Sequence, residues 1–333
     1  MEFNLKEIST HRAELMGLSA IAILFCHAPG NNVFMPSILS IVLSIGGYGV
    51  DMFLFLSGMG LWYSLHKIDN QHGKLTNWYS KRYKRLLIPY LIISVIYYTL
   101  FCVMQDKSLL NLPYYVSTIS FWTEHQGQWF VDALIPIYAF APILYRVLQR
   151  TSNHWSVALA GCLLCFVISA MPNNDPEPLK SVWGNIQYVV CRIPGFILGM
   201  WLAPYIMKGK ALKNPLLYVC ISAVLFMVSK VSHFEGACFM IAPLLMLFMI
   251  IIRFGGKVLY SIIAFMGAIS LESYLLNVTL PFFIVRRLNW TIGEVNLGFG
   301  NYLPYLSVVV LGTILAYLIN KLSNRIINAR KYQ

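Results

Sequence analysis

The sequence predicts an all-α, polytopic membrane protein, and three of its properties lead to this fold class. Hydrophobic residues make up 58% of the 333 residues and charged residues only 11%, whereas average soluble proteins are about a quarter charged. The mean hydropathy is +0.65. Uncharged stretches of roughly 17 to 25 residues, the length of a membrane-spanning helix, recur along the chain. These properties exclude a disordered chain and argue against an ordinary soluble globule.

The first five candidate spans are separated by segments that hold charged or turn-forming residues. The first span follows Lys6 and Arg12, as in a signal peptide, but no small-x-small cleavage site follows Cys26. The third span follows a strongly basic segment that ends at Arg85, and the fourth begins at Trp129. These spans lie near 13–30, 43–65, 86–104, 129–148 and 155–172.

The last five candidate spans are less uniform. The sixth contains Gly195-x-x-x-Gly199, a spacing of small residues that lets two helices approach closely. The seventh and eighth are short, so nine or eleven spans are alternatives to ten. No connecting segment is long enough for a soluble domain, and we expect one integral-membrane domain over 1–333 with no appended soluble domain. The spans lie near 184–206, 214–229, 234–252, 258–280 and 302–320.

Basic residues fall unequally on the two sides that ten spans define. Nineteen Lys and Arg lie on the side of the termini, and Arg192 lies inside a span. Because basic residues accumulate in cytoplasmic loops, both termini are expected in the cytoplasm. The net charge of +12 then reports membrane topology, with membrane lipids and not nucleic acid as the partner. The other side holds five basic residues, which are Lys107, Lys180, Lys230, Arg286 and Arg287.

The seven cysteines lie in or beside the apolar stretches, where a thiol serves most simply as a small hydrophobic group. Cys162 and Cys165 have the spacing of a redox or zinc motif, but the sequence offers no second pair and no soluble α/β context. We therefore expect no disulfide framework and no metal site.

Few ionisable residues are expected inside the spans. Because a charged group in hydrocarbon is costly, each of them is a candidate for function. The alternative for each is a structural role, such as the fastening of two helices. The carboxylates are Glu14, Asp51, Asp132 and Glu272, and the basic side chains are His27 and Arg192.

His27 is the candidate general base, since an imidazole with a pKa of about 6.5 can take up and return a proton near neutrality. It lies at the end of the first span, and Asp51 lies in the early part of the second span, which starts from the same side. The two side chains should therefore lie at similar depth, where Asp51 could orient the imidazole. A histidine at the membrane interface and a polar residue in helix packing are the structural alternatives.

Arginines provide two further candidate features. Arg82-x-x-Arg85 stands at the start of the third span, and this spacing places both guanidiniums on one helix face, where they could bind phosphates. Contact with anionic lipid is the alternative. Arg192 must meet an anion or a cluster of carbonyls, and the expected partners are Asp132, Glu272 or a ligand phosphate. An internal ion pair between helices is the structural alternative.

A series of short motifs extends over most of the chain. In order, they are the segment 22–27 that ends at His27, Gly49-Val50-Asp51-Met52-Phe53-Leu54-Phe55-Leu56-Ser57-Gly58, the basic segment 82–90, Gln128-Trp129-Phe130, Pro142, the segment 192–196 and the segment 270–275. The ordered set resembles the acyltransferase-3 family of bacterial integral-membrane acyltransferases. Two positions differ from the family pattern. The family commonly has an arginine at the position of Met16, for which Arg12 is the nearest substitute, and often a histidine at the position of Asn277.

The resemblance implies transfer of an acyl group, usually acetyl, from cytoplasmic acyl-CoA to a hydroxyl of an envelope glycan or lipid-linked saccharide at the bacterial inner membrane. We expect Arg82, Arg85 and Arg12 to bind the phosphates of the coenzyme. His27, oriented by Asp51, would act as general base or as a transient acyl carrier. Further residues are expected to line the channel or contact the substrate, namely Trp129, Arg192, Glu272, Tyr274, Glu14 and Asp132.

Two other classes of protein fit parts of the sequence. A transporter or flippase for an envelope precursor would use the intramembrane ionisable residues as a substrate or proton path, although the sequence has no detectable internal repeat. A membrane sensor or scaffold would leave His27 and Asp51 without a chemical role. Release of coenzyme A by the purified protein would separate an acyltransferase from both.

Overall fold

The computed structural model describes residues 2–31, 33, 36–232, 235–281, 284 and 302–329. Regular structure in these residues is almost entirely helical, as the sequence predicts. A small antiparallel ribbon pairs β1 (Glu2–Asn4) with β2 (Ala211–Lys213). Four basic residues that entered the topology argument lie outside the described residues, namely Arg286, Arg287, Arg330 and Lys331.

Sixteen α-helices follow one another in the described part of the chain. They are α1 (Lys6–Thr10), α2 (Arg12–Cys26), α3 (Ser37–Ser44), α4 (Gly49–Asn70), α5 (Leu75–Met104), α6 (Leu112–Val116), α7 (Ile119–Glu124), α8 (Trp129–Arg150), α9 (His154–Ala170), α10 (Val182–Val190), α11 (Ile193–Met207), α12 (Pro215–Val231), α13 (Ile241–Phe254), α14 (Gly256–Ala268), α15 (Ser270–Pro281) and α16 (Tyr302–Ala329). Proline stands in the first turn of α6, α11 and α12, where its missing N–H costs no helical hydrogen bond.

Six helical segments of the described residues are long and apolar enough to cross a membrane. A seventh is added if α14 and α15, which are bent by 83° at a short break, form one span. The apolar helices α9 and α12 are shorter. About ten spans and cytoplasmic termini therefore stay predictions. The six segments are Ser37–Asn70, Leu75–Met104, Trp129–Arg150, Val182–Met207, Ala237–Phe254 and Tyr305–Ala329.

Two expected spans have a different shape in the structure. The first is helical only to Cys26, and its 15 helical residues extend about 22 Å, less than the hydrocarbon thickness of about 30 Å. The ninth, expected as one helix over 258–280, is broken at Ile269, where α14 ends and the chain turns into α15. Hydropathy is summed along the chain, so it does not detect a change of helix direction.

Large apolar side chains are exposed on the outer faces of several helices. Ile38, Met227 and Val258 have exposed fractions of 79%, 68% and 76%. Such side chains are unfavourable in water when they cover much of a surface, but they suit contact with lipid tails. The exterior therefore supports a multi-pass integral membrane protein.

The helix α4 occupies the centre of the structure. Every residue from Gly49 to Met59 is buried, so the first three turns have no lipid-facing side. The helices α2, α8, α11 and α13 all pack against α4. A helix that is apolar on all faces is suited to such a position.

Glycines allow two pairs of helices to cross at backbone contact. A Cβ added at Gly58 of α4 would overlap the backbone of α11, and one added at Gly199 of α11 would overlap the backbone of α4. Gly17 of α2 and Gly267 of α14 are related in the same reciprocal way. The close packing that the sequence predicts at Gly199 is confirmed.

Candidate active site

Three arginines converge on one cavity of about 260 Å³, here called the arginine cavity. Arg82 and Arg85 line it from consecutive turns of α5, as their spacing predicts, and Arg12 lines it from the first turn of α2. Met16 also lines the cavity. An arginine at the Met16 position is common in the family that the sequence resembles. It would line the same cavity that Arg12 lines here.

Arg12 is held by the central helix. Its Nε donates a hydrogen bond to the backbone oxygen of Leu56, over 3.3 Å. A Cβ at Gly60 would lie 3.0 Å from Arg12 Nη2, so the glycine provides room for the guanidinium beside α4. The helix α4 therefore fixes the direction of Arg12 toward the cavity.

The opposite wall of the arginine cavity carries one carboxylate. Glu272, at the start of α15, is buried, and its Oε1 accepts a hydrogen bond of 3.0 Å from Asn320 Nδ2 of α16. Both residues line the cavity, together with Tyr138 and Tyr274. Three guanidiniums against one carboxylate leave an excess of positive charge, which suits a polyanionic ligand such as a chain of phosphates.

His27 lines a second cavity of about 300 Å³, here called the histidine cavity. It directly follows α2, and its backbone oxygen accepts a hydrogen bond of 2.8 Å from Asn31 Nδ2. Gln128 and Thr279 lie in the lining as well. Gln128 is buried, donates from Nε2 to the oxygen of Leu275 over 3.4 Å, and has no hydrogen-bond partner for Oε1 in the described residues. The cavity is thus lined by His27 and by a glutamine whose amide oxygen is unpaired in the described residues.

The two cavities follow one another along α15 and the beginning of α8. On α15, Tyr274 lines the arginine cavity, while Val278, one turn and about 6 Å further on, lines the histidine cavity. On the other wall, Phe130 lines the arginine cavity and Gln128 lines the histidine cavity. The cavities are therefore arranged end to end.

Three buried aromatic residues line the arginine cavity and are here called the aromatic layer, defined as Phe53, Phe130 and Tyr274. The ring of Phe130 lies 5.3 Å from that of Tyr274 and 5.8 Å from that of Phe53, measured between centroids. All three side chains are buried. Phe130 and Tyr274 lie within about one helical turn of Gln128 and Val278, so the layer adjoins residues that line the histidine cavity.

Asp51 pairs with Arg192, which corrects two expectations. Arg192 Nη1 lies 2.6 Å from Asp51 Oδ2, and the aspartate is fully buried. Arg192 therefore meets Asp51, and neither Asp132 nor Glu272 was the right partner. Asp51 Oδ1 has no hydrogen-bond partner among the described residues, so no hydrogen bond from Asp51 orients His27 there. The pair fastens α4 to the break between α10 and α11, where Arg192 caps the second helix.

The other expected lining residues lie outside both cavities. Asp132 is buried below the loop at Gly127, where a Cβ would lie 3.5 Å from the carboxylate. Trp129 packs edge-on against Tyr188 at a centroid distance of 5.0 Å. Glu14 lies 4.0 Å from the ring of His11. Of the six expected lining residues, the arginine cavity contains Glu272 and Tyr274.

Uncharged polar residues in the two cavities were missed as site residues. Asn320, Ser57 and Tyr138 line the arginine cavity, and Asn31 and Thr279 line the histidine cavity. The sequence reasoning weighed only ionisable groups inside the spans. An amide or hydroxyl group in an otherwise apolar stretch would have been the signal, since such groups also need a polar partner in a membrane.

These features define a polytopic membrane protein with a basic cavity and a histidine cavity in line along its core. The family model for the acyltransferase-3 acyltransferase domain matches residues 15–321, which is nearly the whole chain. The chain belongs to the acyltransferase-3 family, and this membership supports a membrane-embedded acyltransferase. Searches of curated proteins and of solved structures each gave no significant match.

Proposed function

We propose that the protein transfers an acyl group, acetyl in the first instance, from cytoplasmic acyl-CoA to a hydroxyl of a cell-envelope glycan or lipid-linked saccharide at the bacterial inner membrane. The observation that carries this proposal is the convergence of Arg12, Arg82 and Arg85 on one cavity that is in line with the cavity of His27. The proposed reaction requires a site that binds a polyanionic donor and a group that accepts a proton.

The arginine cavity is proposed as the site for the phosphates of the coenzyme. Guanidiniums bind phosphate oxygens through paired N–H groups and keep their charge at any physiological pH. Arg82 and Arg85 lie one turn apart, so they can contact neighbouring phosphate groups. The pantetheine arm would then extend through the aromatic layer, so that the thioester reaches His27.

His27 is proposed as the general base. The acceptor hydroxyl would lose its proton to the imidazole as its oxygen bonds to the thioester carbonyl carbon, and the carbon–sulfur bond would break. The imidazolium would return the proton to the departing thiolate. In the variant with a covalent intermediate, His27 itself takes the acyl group and passes it to the acceptor. Asp51 acts in either case as a positioning residue, through Arg192 and the central helix.

The proposed donor reaction can be tested with membrane vesicles that contain the protein. Acetyl-CoA labelled in the acetyl group is supplied, and label in the glycan and lipid-linked saccharide fractions is measured together with the release of coenzyme A. We expect both in vesicles with the unmodified protein and at least about a hundredfold less of both with His27→Ala. Equal transfer by the His27→Ala protein would refute the role of His27, and absence of coenzyme A release would refute acyl transfer from this donor.

A transporter or flippase for an envelope precursor is the second candidate function. The observation that favours it is the succession of two polar cavities with buried aromatic rings in the wall of the first, since an occluded transport path could have the same arrangement. A transporter would consume no acetyl-CoA, so the coenzyme A measurement decides between the two functions.

A further inference from the structure

A further cavity of about 430 Å³, here called the lysine cavity, lies on the other side of the central helix. On α4, Phe53 and Ser57 line the arginine cavity, whereas Trp62 and His66 line the lysine cavity. At about 100° per residue, Trp62 and His66 point about 140° to 180° away from Ser57. The lysine cavity is therefore separate from the proposed acyl-transfer site.

The lysine cavity lies where three long apolar helices end. Its lining includes residues from the last turns of α4, α8 and α11 and the first residue of α9. All three helices that end there belong to segments long enough to span a membrane. Residues in the last turn of a membrane-spanning helix lie at the level of the lipid headgroups.

The polar side chains of the lysine cavity are basic or uncharged. Lys208 and Lys210 line it, and no acidic residue is found among the described lining residues. Lys210 Nζ lies 4.8 Å from the ring centre of Tyr205, so the ammonium group is directed over the cavity wall. Trp201 Nε1 is buried and has no hydrogen-bond partner in the described residues. A buried N–H without an acceptor is costly, so a ligand oxygen at this position would remove a penalty.

The histidines of the lysine cavity already have partners. His66 Nε2 accepts a hydrogen bond of 3.2 Å from Asn70, and its other ring nitrogen lies 3.4 Å from Tyr145 Oη. His154 donates from Nδ1 to the backbone oxygen of Leu148. The ring of Trp62 stacks on His66 at 4.7 Å. The lysines and the Trp201 N–H remain as groups that can bind an anion, together with the amide of Gln149 and the hydroxyl of Tyr205.

The remaining wall is apolar. Met200, Pro204 and Met207 of α11 and Leu148 of α8 complete the lining. A soluble anion gains nothing from such a wall, whereas the glycerol and upper acyl chains of a phospholipid do. We propose that the lysine cavity binds the phosphate headgroup of an anionic phospholipid, with Lys208, Lys210 and the Trp201 N–H as ligands to the phosphate oxygens.

The test measures lipid binding to the purified full chain by native mass spectrometry and by the shift of its unfolding temperature. The probes are dioctanoyl phosphatidylglycerol, dioctanoyl phosphatidylcholine and inorganic phosphate. We expect binding of phosphatidylglycerol, and weak binding of the zwitterionic lipid and of inorganic phosphate. Inorganic phosphate that shifts the unfolding temperature as much as phosphatidylglycerol would overturn the lipid assignment, as would equal binding of phosphatidylcholine.

Three variants locate the site. Lys208→Gln and Lys210→Gln should each weaken phosphatidylglycerol binding about fivefold, the equivalent of about 1 kcal/mol for a lysine at an anionic headgroup. Trp201→Phe keeps the ring and removes only the N–H, and it should also weaken binding. The control is Lys213→Gln, an exposed lysine of β2 outside the cavity. The proposal fails if the three cavity variants bind phosphatidylglycerol as Lys213→Gln does, provided that their unfolding temperatures without lipid agree.

Discussion

His27 directly follows its helix and lines a cavity, and no carboxylate of the described residues is paired with its imidazole. The backbone oxygen of His27 accepts a hydrogen bond from Asn31, and Asp51 forms an ion pair with Arg192. An imidazole in such a setting depends on its own basicity and on the substrates for its orientation. This distinguishes it from a histidine that a buried carboxylate holds in one tautomer.

The first prediction concerns His27→Ala. We expect acetyl transfer to fall by about 10²- to 10⁴-fold, the usual contribution of a general base, while the dissociation constant for acetyl-CoA stays near that of the unmodified protein. Donor binding is measured by calorimetry in detergent, and transfer is measured by release of coenzyme A. His72→Ala, a substitution in the turn after α4, is the matched control. If donor binding is lost together with transfer, the histidine cavity contributes to the donor site.

The second prediction concerns Arg85 and Arg12 of the arginine cavity. Arg85→Ala and Arg12→Ala should each raise the KM for acetyl-CoA about tenfold or more, because each removes a charged hydrogen bond to phosphate worth about 1.5 to 3 kcal/mol. The KM for the acceptor should change little. Arg146→Ala, an exposed arginine of α8 outside the cavity, is the control. An unchanged KM for acetyl-CoA in Arg85→Ala would place the coenzyme elsewhere.

The third prediction concerns the buried pair of Asp51 and Arg192. Asp51→Asn leaves the guanidinium without its anion, and loss of one partner of a buried pair costs about 3 to 5 kcal/mol. The double variant Asp51→Asn with Arg192→Gln should recover part of the lost stability, since both charges are then absent. Thermal unfolding in detergent measures both effects. An Asp51→Asn protein that unfolds as the unmodified protein does, yet transfers no acetyl group, would show a chemical role for Asp51.

At the scale of the helices, reciprocal glycine contacts set the distance between α4 and α11. The arginine cavity and the lysine cavity both use α4 as a wall, and Asp51 and Arg192 join the same two helices. The contact at Gly58 and Gly199 therefore positions groups of both cavities. A substitution at this helix crossing should therefore lower the stability of the whole fold, and not only remove one contact in a site.

The fourth prediction concerns Gly199→Ala. The added Cβ would overlap the backbone of α4 at Phe55, so α4 and α11 must separate. We expect a loss of about 1 to 3 kcal/mol of unfolding free energy, as is typical for overpacking, and a lower unfolding temperature. Gly47→Ala is the matched control, because its Cβ would meet only the Cys26 side chain at 3.7 Å. Equal unfolding temperatures for both variants would contradict the packing argument.

Helical segments and their small-residue contacts could be predicted from the sequence because they depend on local composition. The i, i+3 spacing of Arg82 and Arg85 likewise determines a shared helix face. By contrast, the pairing of Asp51 with Arg192 joins positions 141 residues apart, and sequence reasoning could compare only their depths. The break at Ile269 was also missed, since Gly267, two residues before it, does not by itself distinguish a break from close helix packing. Local sequence patterns thus do not contain the directions in which helices and side chains point.

At the scale of the whole molecule, the arginine and histidine cavities follow one another along α15 and the start of α8, and the aromatic layer lines the arginine cavity. In the proposed reaction this layer must open for the thioester and close against water. Its rings are therefore expected to control whether an acyl group reaches the acceptor or is lost to hydrolysis.

The fifth prediction concerns Phe130→Ala. Removal of the ring that contacts both Phe53 and Tyr274 should open the layer and raise the release of coenzyme A from acetyl-CoA in the absence of acceptor severalfold. The release is measured with a thiol reagent on purified protein. Phe248→Ala, a buried phenylalanine of α13 that lines neither cavity, is the control for general loosening. A Phe130→Ala protein with no more release than Phe248→Ala would show that the layer does not limit access of water.

The end-to-end order of the two cavities has a consequence for what would have to cross the membrane in the proposed reaction. In the proposed reaction, the donor would be held by arginines at one end and the acceptor would meet His27 at the other, so the two would not need to occupy the same compartment. Only the small acyl group would change sides in each turnover, and the large, highly charged coenzyme would leave by the face at which it arrived. Acyl transfer and the movement of the acyl group across the membrane would then be one step. No separate transporter for an activated acyl compound would be needed.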